Sequence, residues 1–428
     1  MIAGTICILM LLLLALGMPV GFTLITSGAL GIYWIGGWSA MLGILSSMPR
    51  DSGGSYEFLA IPMFLLMAEF VLRSGIADEL FQAAAAWFGR IRGGLGIATA
   101  FAGAGFGAIC GSSTAAAATL SSTSLPAMLK YGYETRMASG VVAISGTLSM
   151  LIPPSIAMVI YALLADVSVA KMLIAGVLPG IVVTLTIALT VYYLAVRNPE
   201  HAPLTEPTTF AEKLSSLRLI LPMIVLMGAV TGVIYTGIAT PTEASAVGAF
   251  SAGLLYIWRQ GFSGSEIYRI MSRATRTSCM LAIIILGAHV FTTFFALTQT
   301  TQVIIEWVGA LPVNRWVIMV VLVVLILLLG CFLDQMAILV LTVPILAPLL
   351  TSMDFDLIWF GVIMIVTAEV GLVHPPLGLN CFVVAKYAKI PSSEVFWGAL
   401  PHCIAHLIAI AIMVAFPAIA LWLPAQMQ

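Results

Sequence analysis

Two polar breaks interrupt strongly apolar sequence in the first half of the chain, and two similar breaks follow in the second half. The residues at the breaks are Gly111, Ser112, Ser113, Thr114, Pro153, Pro154 and Ser155, then Asp334, Gln335, Pro375, Pro376, Gly378 and Asn380. Non-helical backbone is costly inside a bilayer unless it lines a cavity. Breaks repeated at corresponding places in two halves therefore predict an ion and substrate site of the kind that secondary transporters have.

The break at Gly111–Thr114 suits a sodium ion together with a carboxylate. Glycine allows the backbone to turn, and Ser112, Ser113 and Thr114 supply small oxygen ligands. Free carbonyl groups at the end of one half-helix attract a cation, and free N–H groups at the start of the next half-helix attract an anion. The alternative is a packing seam of small residues, which the adjoining run Ala115–Ala118 also fits.

The two proline pairs predict unwound helices. Proline removes a backbone donor, so carbonyl groups near Ile152 and near His374 lose their partners and become available to a cation. The alternative is a kink that only shapes the helix.

Buried acids are the other candidates for chemistry. Asp334 and Glu369 lie in apolar runs, where a carboxylate usually needs a cation or a partner. Asp334 is predicted to coordinate an ion or to hold a proton or hydrogen bond; a structural hydrogen bond is the alternative. Glu69 could pair across helices, with no partner that the sequence identifies. Glu243 is predicted to lie in the first turn of a helix capped by Thr240 or Thr242.

Composition requires the elements that position these residues to be membrane helices. The 428 residues are 61% hydrophobic and 8% charged, against about 25% charged residues in a soluble domain. The formal net charge is -1, so the chain lacks a basic field for nucleic acid. The chain is predicted to be an all-α polytopic protein whose surroundings are the lipid bilayer.

Other site chemistries find little support. The six cysteines have no CxxC spacing, and no zinc-protease, phosphate-loop or nucleophile-elbow motif occurs. His402 and His406 have a metal-ligand spacing, but no acid or cysteine cluster completes a site. The chain is therefore predicted not to be an enzyme.

The landmarks divide the chain into two repeats. Pro126 and Pro344 follow the first breaks of the two halves, and a proline pair follows each of them after a similar stretch. The predicted organisation begins with a first repeat over 1–197 (scaffold helices within 1–72, near 2–17, 20–37 and 57–72; hairpin 93–128; broken helix 133–165). A polar cytoplasmic linker over 198–216 follows, and then a second repeat over 217–428 (hairpin 313–351, broken helix 356–389, last helix near 397–424).

Charges predict that the second repeat is inverted. Arg90, Arg92, Lys130 and Arg136 flank the first hairpin, so both of its ends should be cytoplasmic and the hairpin re-entrant. The second hairpin lacks this excess and should open from the opposite face. Segments 75–92 and 262–276 mix charged and apolar residues in a way that predicts helices lying flat at the headgroups.

With these features in place, the chain resembles the large membrane subunit of tripartite ATP-independent periplasmic (TRAP) transporters. The matching motifs are Ala60–Phe64, Gly93–Leu95, Gly111–Ser113, Ile152–Ser155, Ala175–Gly180, Thr240–Ala244 and Pro375–Asn380. Cys110 and His374 depart from the usual pattern, which has serine at the first position and threonine or serine at the second. At His374 the backbone carbonyl remains as a ligand.

The resemblance implies an elevator-type carrier of the bacterial inner (cytoplasmic) membrane. A periplasmic binding protein would deliver an organic acid, such as sialic acid or a C4-dicarboxylate, to this subunit and a separate small membrane subunit of about four helices. Two or more sodium ions would drive import. The implied sodium ligands are Gly111, Ser113, Ser149 and Ile152 at one site and Asp334, Glu369, His374 and Pro375 at the other, with the substrate between the hairpin tips.

Two other functions stay open. A stand-alone sodium–carboxylate symporter with the same hairpins would need no binding protein. A channel would show leak without gradient coupling, and an intramembrane enzyme would need a catalytic constellation that the sequence does not show.

Overall fold

A computed structural model describes residues 2–205 and 208–427. Within these ranges every regular element is a helix. In chain order the α-helices are α1 (Ile2–Ala15), α2 (Val20–Gly53), α3 (Ala60–Arg73), α4 (Ile76–Phe88), α5 (Gly94–Cys110), α6 (Ser113–Lys130), α7 (Thr135–Ser145), α8 (Ile156–Ala165), α9 (Val169–Ala175), α10 (Val177–Arg197), α11 (Phe210–Tyr235), α12 (Pro241–Gln260), α13 (Gly264–Leu297), α14 (Thr300–Gly309), α15 (Arg315–Gly330), α16 (Gln335–Ser352), α17 (Leu357–Gly371), α18 (Leu379–Ala388), α19 (Ser392–Ala415) and α20 (Ala418–Ala425). Short 3₁₀ helices cover Tyr56–Leu59, Gly146–Met150 and Pro199–His201.

Six of the helical stretches in the described residues are long and apolar enough to cross a membrane. Counting the pair formed by Tyr56–Arg73 and α4, which bend by 66° at their junction, as one span raises this number to seven. The arms of both hairpins and the halves of both broken helices are mostly shorter apolar helices, as expected where a span is interrupted at bilayer depth.

Each repeat contains one hairpin and one broken helix. The arms α5 and α6 meet at Gly111-Ser112, and the arms α15 and α16 meet at Cys331–Asp334. The first broken helix runs from α7 through the 3₁₀ turn Gly146–Met150 to α8, and the second runs from α17 to α18. The bonds Pro153-Pro154 and Pro375-Pro376, inside the two breaks, are both cis.

The two repeats have the same packing as well as the same order of elements. The second arm of each hairpin packs against the helix that follows the break in the other half: α6 on α18, and α16 on α8. Outside this core, α2 packs on α13 as α12 packs on α3, and α3 also contacts α13. The hairpins and broken helices thus interlock with one another, while α2, α3, α12 and α13 form a second set.

Four helices differ from the predicted boundaries. Residues 20–37 were predicted as one helix, whereas α2 continues to Gly53 and bends at Gly37, whose φ of 73° is not helical. Segment 262–276 was predicted to lie flat, but it belongs to the continuous helix α13, since no proline or break residue separates it from the following span. Helix α11 begins at Phe210, inside the predicted linker, because a Thr209–Glu212 capping box starts it there. The last predicted helix is divided into α19 and α20 near Pro417.

The linker prediction is partly outside the described residues, since 206 and 207 are not described. In its described part, Thr208 donates a hydrogen bond to the carbonyl of Ala86 at 2.7 Å, and Nδ1 of His201 lies 2.9 Å from Oε2 of Glu134. The linker is therefore held against α4 and the start of α7.

Candidate functional site

The tip of the first hairpin is built from a left-handed glycine and a serine cap. Gly111 has φ 60°, and a Cβ atom placed there would lie 2.7 Å from Cδ1 of Ile156, so only glycine fits without strain. Ser112 follows as the N-cap of α6, where its Oγ accepts from the N–H of Ala115 at 3.4 Å and lies 3.3 Å from Oγ1 of Thr114. The start of α6 therefore faces the turn.

The tip of the second hairpin uses an acid at the corresponding place. Asp334 is the N-cap of α16, and its Oδ1 accepts from the N–H of Ala337 at 2.9 Å. The side chain of Asp334 is still solvent-accessible, so the cap leaves oxygen lone pairs free for another ligand. The next residue, Gln335, is 1% exposed, and neither its Nε2 nor its Oε1 has a hydrogen-bond partner among the described residues.

The first break is buried and tightly held. Ser155 caps α8, accepts from the N–H of Met158 at 3.4 Å and donates to the carbonyl of Met150. Ser149 donates to the carbonyl of Gly146 at 2.9 Å. Gly146 in turn packs so closely on the hairpin that a Cβ there would lie 2.9 Å from the carbonyl oxygen of Ser113. The break and the first tip thus form one rigid unit.

The second break is more open. Pro375, Pro376 and Leu377 are exposed, whereas Pro153 and Pro154 are buried. Gly378 begins α18 with φ 47°, and Asn380, fully buried, donates its backbone N–H to the carbonyl of Leu372 at 3.0 Å.

The second break also contacts its own hairpin. Nδ1 of His374 lies 3.7 Å from Sγ of Cys331 and 2.6 Å from the carbonyl oxygen of Pro375. The thiols of Cys381 and Cys403 donate to the carbonyl of Val373 at 3.4 and 4.0 Å. That carbonyl is therefore already engaged by the protein, while the Pro375 carbonyl faces the histidine ring.

A cavity of about 360 Å³ joins the two tips. Of the predicted site residues, it is lined by Gly111, Ser112, Ser113, Thr114, Asp334 and Gln335. Its wall also includes Met150 and Ile156, which flank the first break, and Leu372 and Leu379, which flank the second. The two hairpins and the edges of both breaks therefore meet at one place, as the sequence predicts for a site between the tips.

The other predicted residues lie outside the wall of this cavity: Ser149, Ile152, Pro153, Pro154, Ser155, Glu369, His374, Pro375, Pro376, Gly378 and Asn380. The side chains of Ile152 and Pro153 line a separate apolar cavity with α5, α10 and α11. Ile152 is therefore positioned to contribute its backbone, and not its side chain, to any site near the tips.

Glu369 is a buried acid beside the first tip. It is 3% exposed, and neither carboxylate oxygen has a hydrogen-bond partner of ordinary geometry in the described chain. The hydroxyl group of Ser113, itself 2% exposed, faces it. Because an ionised carboxylate is costly in such a place without a partner, this pair fits a cation held by oxygen atoms.

The sequence did not identify what Glu69 does. Helix α3 brings it to the cavity, opposite both tips, with Thr277 and Met280 of α13 beside it. Oε2 of Glu69 is buried, and no residue in the described ranges forms a hydrogen bond with it. The available signal was an acid in the apolar run Ala60–Arg73; its position opposite the tips depends on the packing of α3 on α13 and could not be read from the sequence.

Two sequence interpretations can be checked directly. Thr240 and Glu243 form a capping box at the start of α12, which confirms the cap predicted for Glu243. His402 and His406 are buried, and Nδ1 of His406 lies 2.9 Å from the carbonyl of His402. Within the described residues no group of three or more His, Cys, Asp or Glu side chains is arranged to hold a metal ion.

Oxygen atoms dominate the chemistry of this arrangement. The hydroxyl groups, the free lone pairs of Asp334 and the unpaired carboxylate of Glu369 suit a hard cation such as sodium. The N-termini of α6 and α16 point the positive ends of their dipoles toward the tips and suit a carboxylate. The structure places Glu369 beside Ser113, whereas the resemblance assigns these two residues to different sodium sites. The individual sodium ligands stay predictions.

Sequence comparison places this architecture among known proteins. The family model described as "Tripartite ATP-independent periplasmic transporter, DctM component" matches residues 7–419. A relative in Pseudomonas aeruginosa, the "C4-dicarboxylate TRAP transporter large permease protein DctM", is 36% identical over 87% of this chain and 87% of its own length. The "Ectoine TRAP transporter large permease protein TeaC" of Halomonas elongata is 29% identical over 96% of each chain.

A solved structure has the same fold. The YdaH transporter of Alcanivorax borkumensis superposes with a TM-score of 0.65 over 90% of this chain and 89% of that one, at 14% sequence identity. Together with the two hairpins and two broken helices, this likeness confirms the predicted all-α polytopic membrane fold.

Proposed function

Since the chain belongs to the DctM-component family of tripartite ATP-independent periplasmic transporters, it is a transporter and not an enzyme, and we propose that it imports an organic acid driven by sodium. The acid would be a carboxylate such as a C4-dicarboxylate or sialic acid. The observation that carries this proposal is the single cavity between the tips, where hydroxyl and carboxylate oxygens for sodium adjoin the N-termini of α6 and α16.

Coupling follows from the shared cavity. A sodium ion bound by tip oxygens offsets their negative charge and lowers the cost of bringing a carboxylate to the same place. A bound carboxylate attracts sodium in return, and the two affinities change by the same factor. Substrate and ion therefore load together.

Transport would follow an elevator mechanism, in which one set of helices slides against another. The hairpins and broken helices interlock through α6 on α18 and α16 on α8, so they can move as one body. The pairs α2 with α13 and α3 with α12 form the scaffold. Glu69 and Thr277 of the scaffold face the tips across the cavity, so this cavity is the boundary along which the two bodies would slide.

The proposed partners follow from the family. A small membrane subunit of about four helices, on a separate chain, would complete the scaffold, and a periplasmic binding protein would deliver the acid across the inner membrane of a bacterium. A stand-alone sodium–carboxylate symporter is the second candidate, because the cavity itself contains the features that sodium and a carboxylate need.

The test is uptake into proteoliposomes that hold this chain with its small subunit. An inward sodium gradient is imposed, labelled organic acids are supplied, and the cognate binding protein is added or omitted. Accumulation that needs both sodium and the binding protein supports the tripartite carrier. Accumulation without the binding protein identifies the stand-alone symporter, and flux that ignores the gradient overturns both.

The elevator is tested by a cross-link across the cavity. Thr114 and Met280 line it from the tip and from the scaffold, so a bifunctional thiol reagent joining Thr114→Cys to Met280→Cys should stop uptake. The controls are the wild type, which keeps its six native cysteines, and the two variants that carry only one of these substitutions, all treated with the same reagent. Full uptake by the cross-linked protein would contradict sliding at this boundary.

A further inference from the structure

A second cavity, of about 550 Å³, lies between α5, α10 and α11, and the first break forms part of its wall through Ile152 and Pro153. Among the described residues that line it, none is charged. One of its few polar groups, the hydroxyl of Thr184, already donates to the carbonyl of Gly180 at 2.7 Å. Apolar cavities do not hold water but accept apolar ligands, so the cavity suits a hydrocarbon.

The cavity opens sideways, toward the lipid. Helices α10 and α11 both belong to stretches that are apolar enough to cross a membrane. Ile181, Leu185 and Ile224 line the cavity and are exposed. A helix of another protein is about 10–12 Å across with its side chains, which is too wide for this space. A single acyl chain is thin and flexible enough to enter it.

Aromatic side chains connect the cavity to an ammonium group. Phe101 lines the cavity and stacks on Phe88, with 4.6 Å between the ring centroids. The neighbouring Trp87 donates its Nε1–H to the carbonyl of Lys213 at 3.2 Å, and Nζ of Lys213 lies 5.9 Å from the centroid of the Trp87 ring. Lys213 is only half-buried, so its ammonium group can still meet an anion.

The depth of the cavity matches the length of an acyl chain. Eleven residues separate Lys213 from Ile224 in α11; they make three turns and about 16 Å of helix, so both side chains lie on the same face. One leaflet contributes half of a hydrocarbon core of about 30 Å. A lipid whose phosphate group lies beside Lys213 therefore has its chain ends at the cavity.

The charges at this end of the cavity favour an anionic headgroup. Arg90 and Arg92, both exposed, precede α5, and the positive-inside rule assigns them to the cytoplasmic side. Glu212, the acid next to Lys213, is engaged in the capping box of α11. Basic residues at the cytoplasmic ends of membrane helices attract anionic lipids.

We propose that this cavity binds one acyl chain of an anionic phospholipid of the cytoplasmic leaflet, with the phosphate group at Lys213. The site goes beyond the transport function proposed above and is independent of the acid that is carried. Helix α11 packs on α12 of the scaffold, whereas α10 packs on the hairpin arm α5. The chain therefore fills the space between the scaffold and the body that contains the break, and it supports Ile152 and Pro153 from the lipid side.

The site is tested by photolabelling the purified complex of this chain with its small membrane subunit in lipid nanodiscs. The probe is phosphatidylglycerol with a photoactivatable diazirine near the end of one acyl chain, and the adducts are mapped by mass spectrometry. We expect adducts concentrated on Phe101, Met223 and Met227, which line the cavity. Adducts spread evenly over the lipid-facing helices, or absent from these residues, would overturn the site.

A glycine in α11 offers a way to close the cavity. Gly228 lines it, and a Cβ there meets nothing within 4 Å, so Gly228→Leu places a side chain where the acyl chain would lie. Labelling of the cavity should fall about tenfold, because at least two methylene groups of the chain lose their place.

Gly232→Leu is the matched control, since Gly232 also lies in α11 with nothing within 4 Å but outside the cavity wall. It should be labelled as the wild type is. Equal labelling of the wild type and both variants would contradict binding in this cavity.

The headgroup is tested with the same labelled chain on phosphatidylcholine, which has no net charge. Phosphatidylglycerol should label the cavity about fivefold more strongly, the effect of one lysine near the membrane surface. Lys213→Gln should remove most of this preference, whereas Lys386→Gln, at an exposed position of α18, should keep it. Equal labelling by both lipids in the wild type would overturn the anionic headgroup, and an equal loss in both variants would exclude Lys213 as its partner.

Discussion

Ser112 and Asp334 occupy equivalent positions in the two repeats, each capping the second arm of its hairpin. Oγ of Ser112 accepts from the N–H of Ala115, and Oδ1 of Asp334 accepts from the N–H of Ala337. The two caps face one cavity. The repeat therefore keeps the cap geometry and changes its charge, so that one tip is neutral and the other anionic.

This equivalence predicts two separate roles for Asp334. Its charge should strengthen the binding of sodium, and its capping hydrogen bond should stabilise the fold. Asn is as good an N-cap as Asp, so Asp334→Asn should unfold at the wild-type temperature. The sodium concentration for half-maximal uptake should rise on the order of tenfold, because a charged ligand is lost.

Asp334→Ala is the companion variant, since it loses the cap as well and should also destabilise the protein by about 1 kcal/mol. Thermal unfolding and sodium-dependent uptake, at matched protein levels, check both variants. Wild-type sodium dependence in Asp334→Asn would reduce this residue to a structural cap.

Much of the site could be predicted because its residues are of types that apolar membrane helices rarely contain. Proline pairs inside apolar helices, and a carboxylate in an apolar run, are costly unless they serve a purpose. These signals identified both tips and both breaks, and the structure brings the tips together at one cavity.

Other features depend on packing that local sequence does not contain. The charges of 262–276 suggested a flat helix, yet α13 continues through them with Arg269, Arg273 and Arg276 exposed. Glu69 faces the tips only because α3 packs on α13 across the boundary between the repeats. Long-range contacts of this kind decide position, and no local pattern encodes them.

The turn at Gly111 should tolerate no side chain. Gly111→Ala places a Cβ 2.7 Å from Cδ1 of Ile156 at a φ of 60°, where left-handed backbone alone costs about 1–2 kcal/mol. Uptake should fall by an order of magnitude or more, because the tip must shift.

Gly237→Ala is the matched control, since its φ is 70° and nothing lies within 4 Å of the added atom. This substitution has the same cost of left-handed backbone but causes no clash at the tip. Adding Ile156→Val to Gly111→Ala shortens the clashing side chain and should restore part of the uptake. Equal uptake in the Gly111 and Gly237 variants would show that transport does not depend on the absence of a side chain at the tip.

Glu369 should link sodium to stability. A ligand present at 100 times its Kd stabilises the folded state by about 2.7 kcal/mol, so sodium should raise the unfolding temperature of the wild type. Glu369→Gln keeps the shape of the side chain but loses the unpaired charge, and this sodium-dependent rise should largely disappear. Thermal unfolding with sodium and with potassium measures it; an undiminished sodium effect would remove Glu369 from the ion site.

The contact between α7 and α19 should tolerate no added side chain. Gly140 and Gly398 bring these two backbones into direct contact, so a Cβ at Gly140 would overlap the peptide of Gly398. Overpacking of this type costs about 1–3 kcal/mol, and Gly140→Ala should lower thermal stability accordingly. Gly228→Ala, in α11 with nothing within 4 Å, should be neutral or slightly stabilising, because Ala favours a helix more than Gly does. A similar loss of stability in both variants would show that the close contact at Gly140 is not the cause.

The measurement that tests the central claim most directly follows radioactive sodium and labelled substrate together in the same proteoliposomes. The account predicts that substrate entry brings sodium in at a fixed ratio, and that both fluxes stop when the binding protein is omitted or Glu369 is replaced by Gln. Substrate accumulation at an undiminished rate without sodium, or without any accompanying sodium influx, would contradict it.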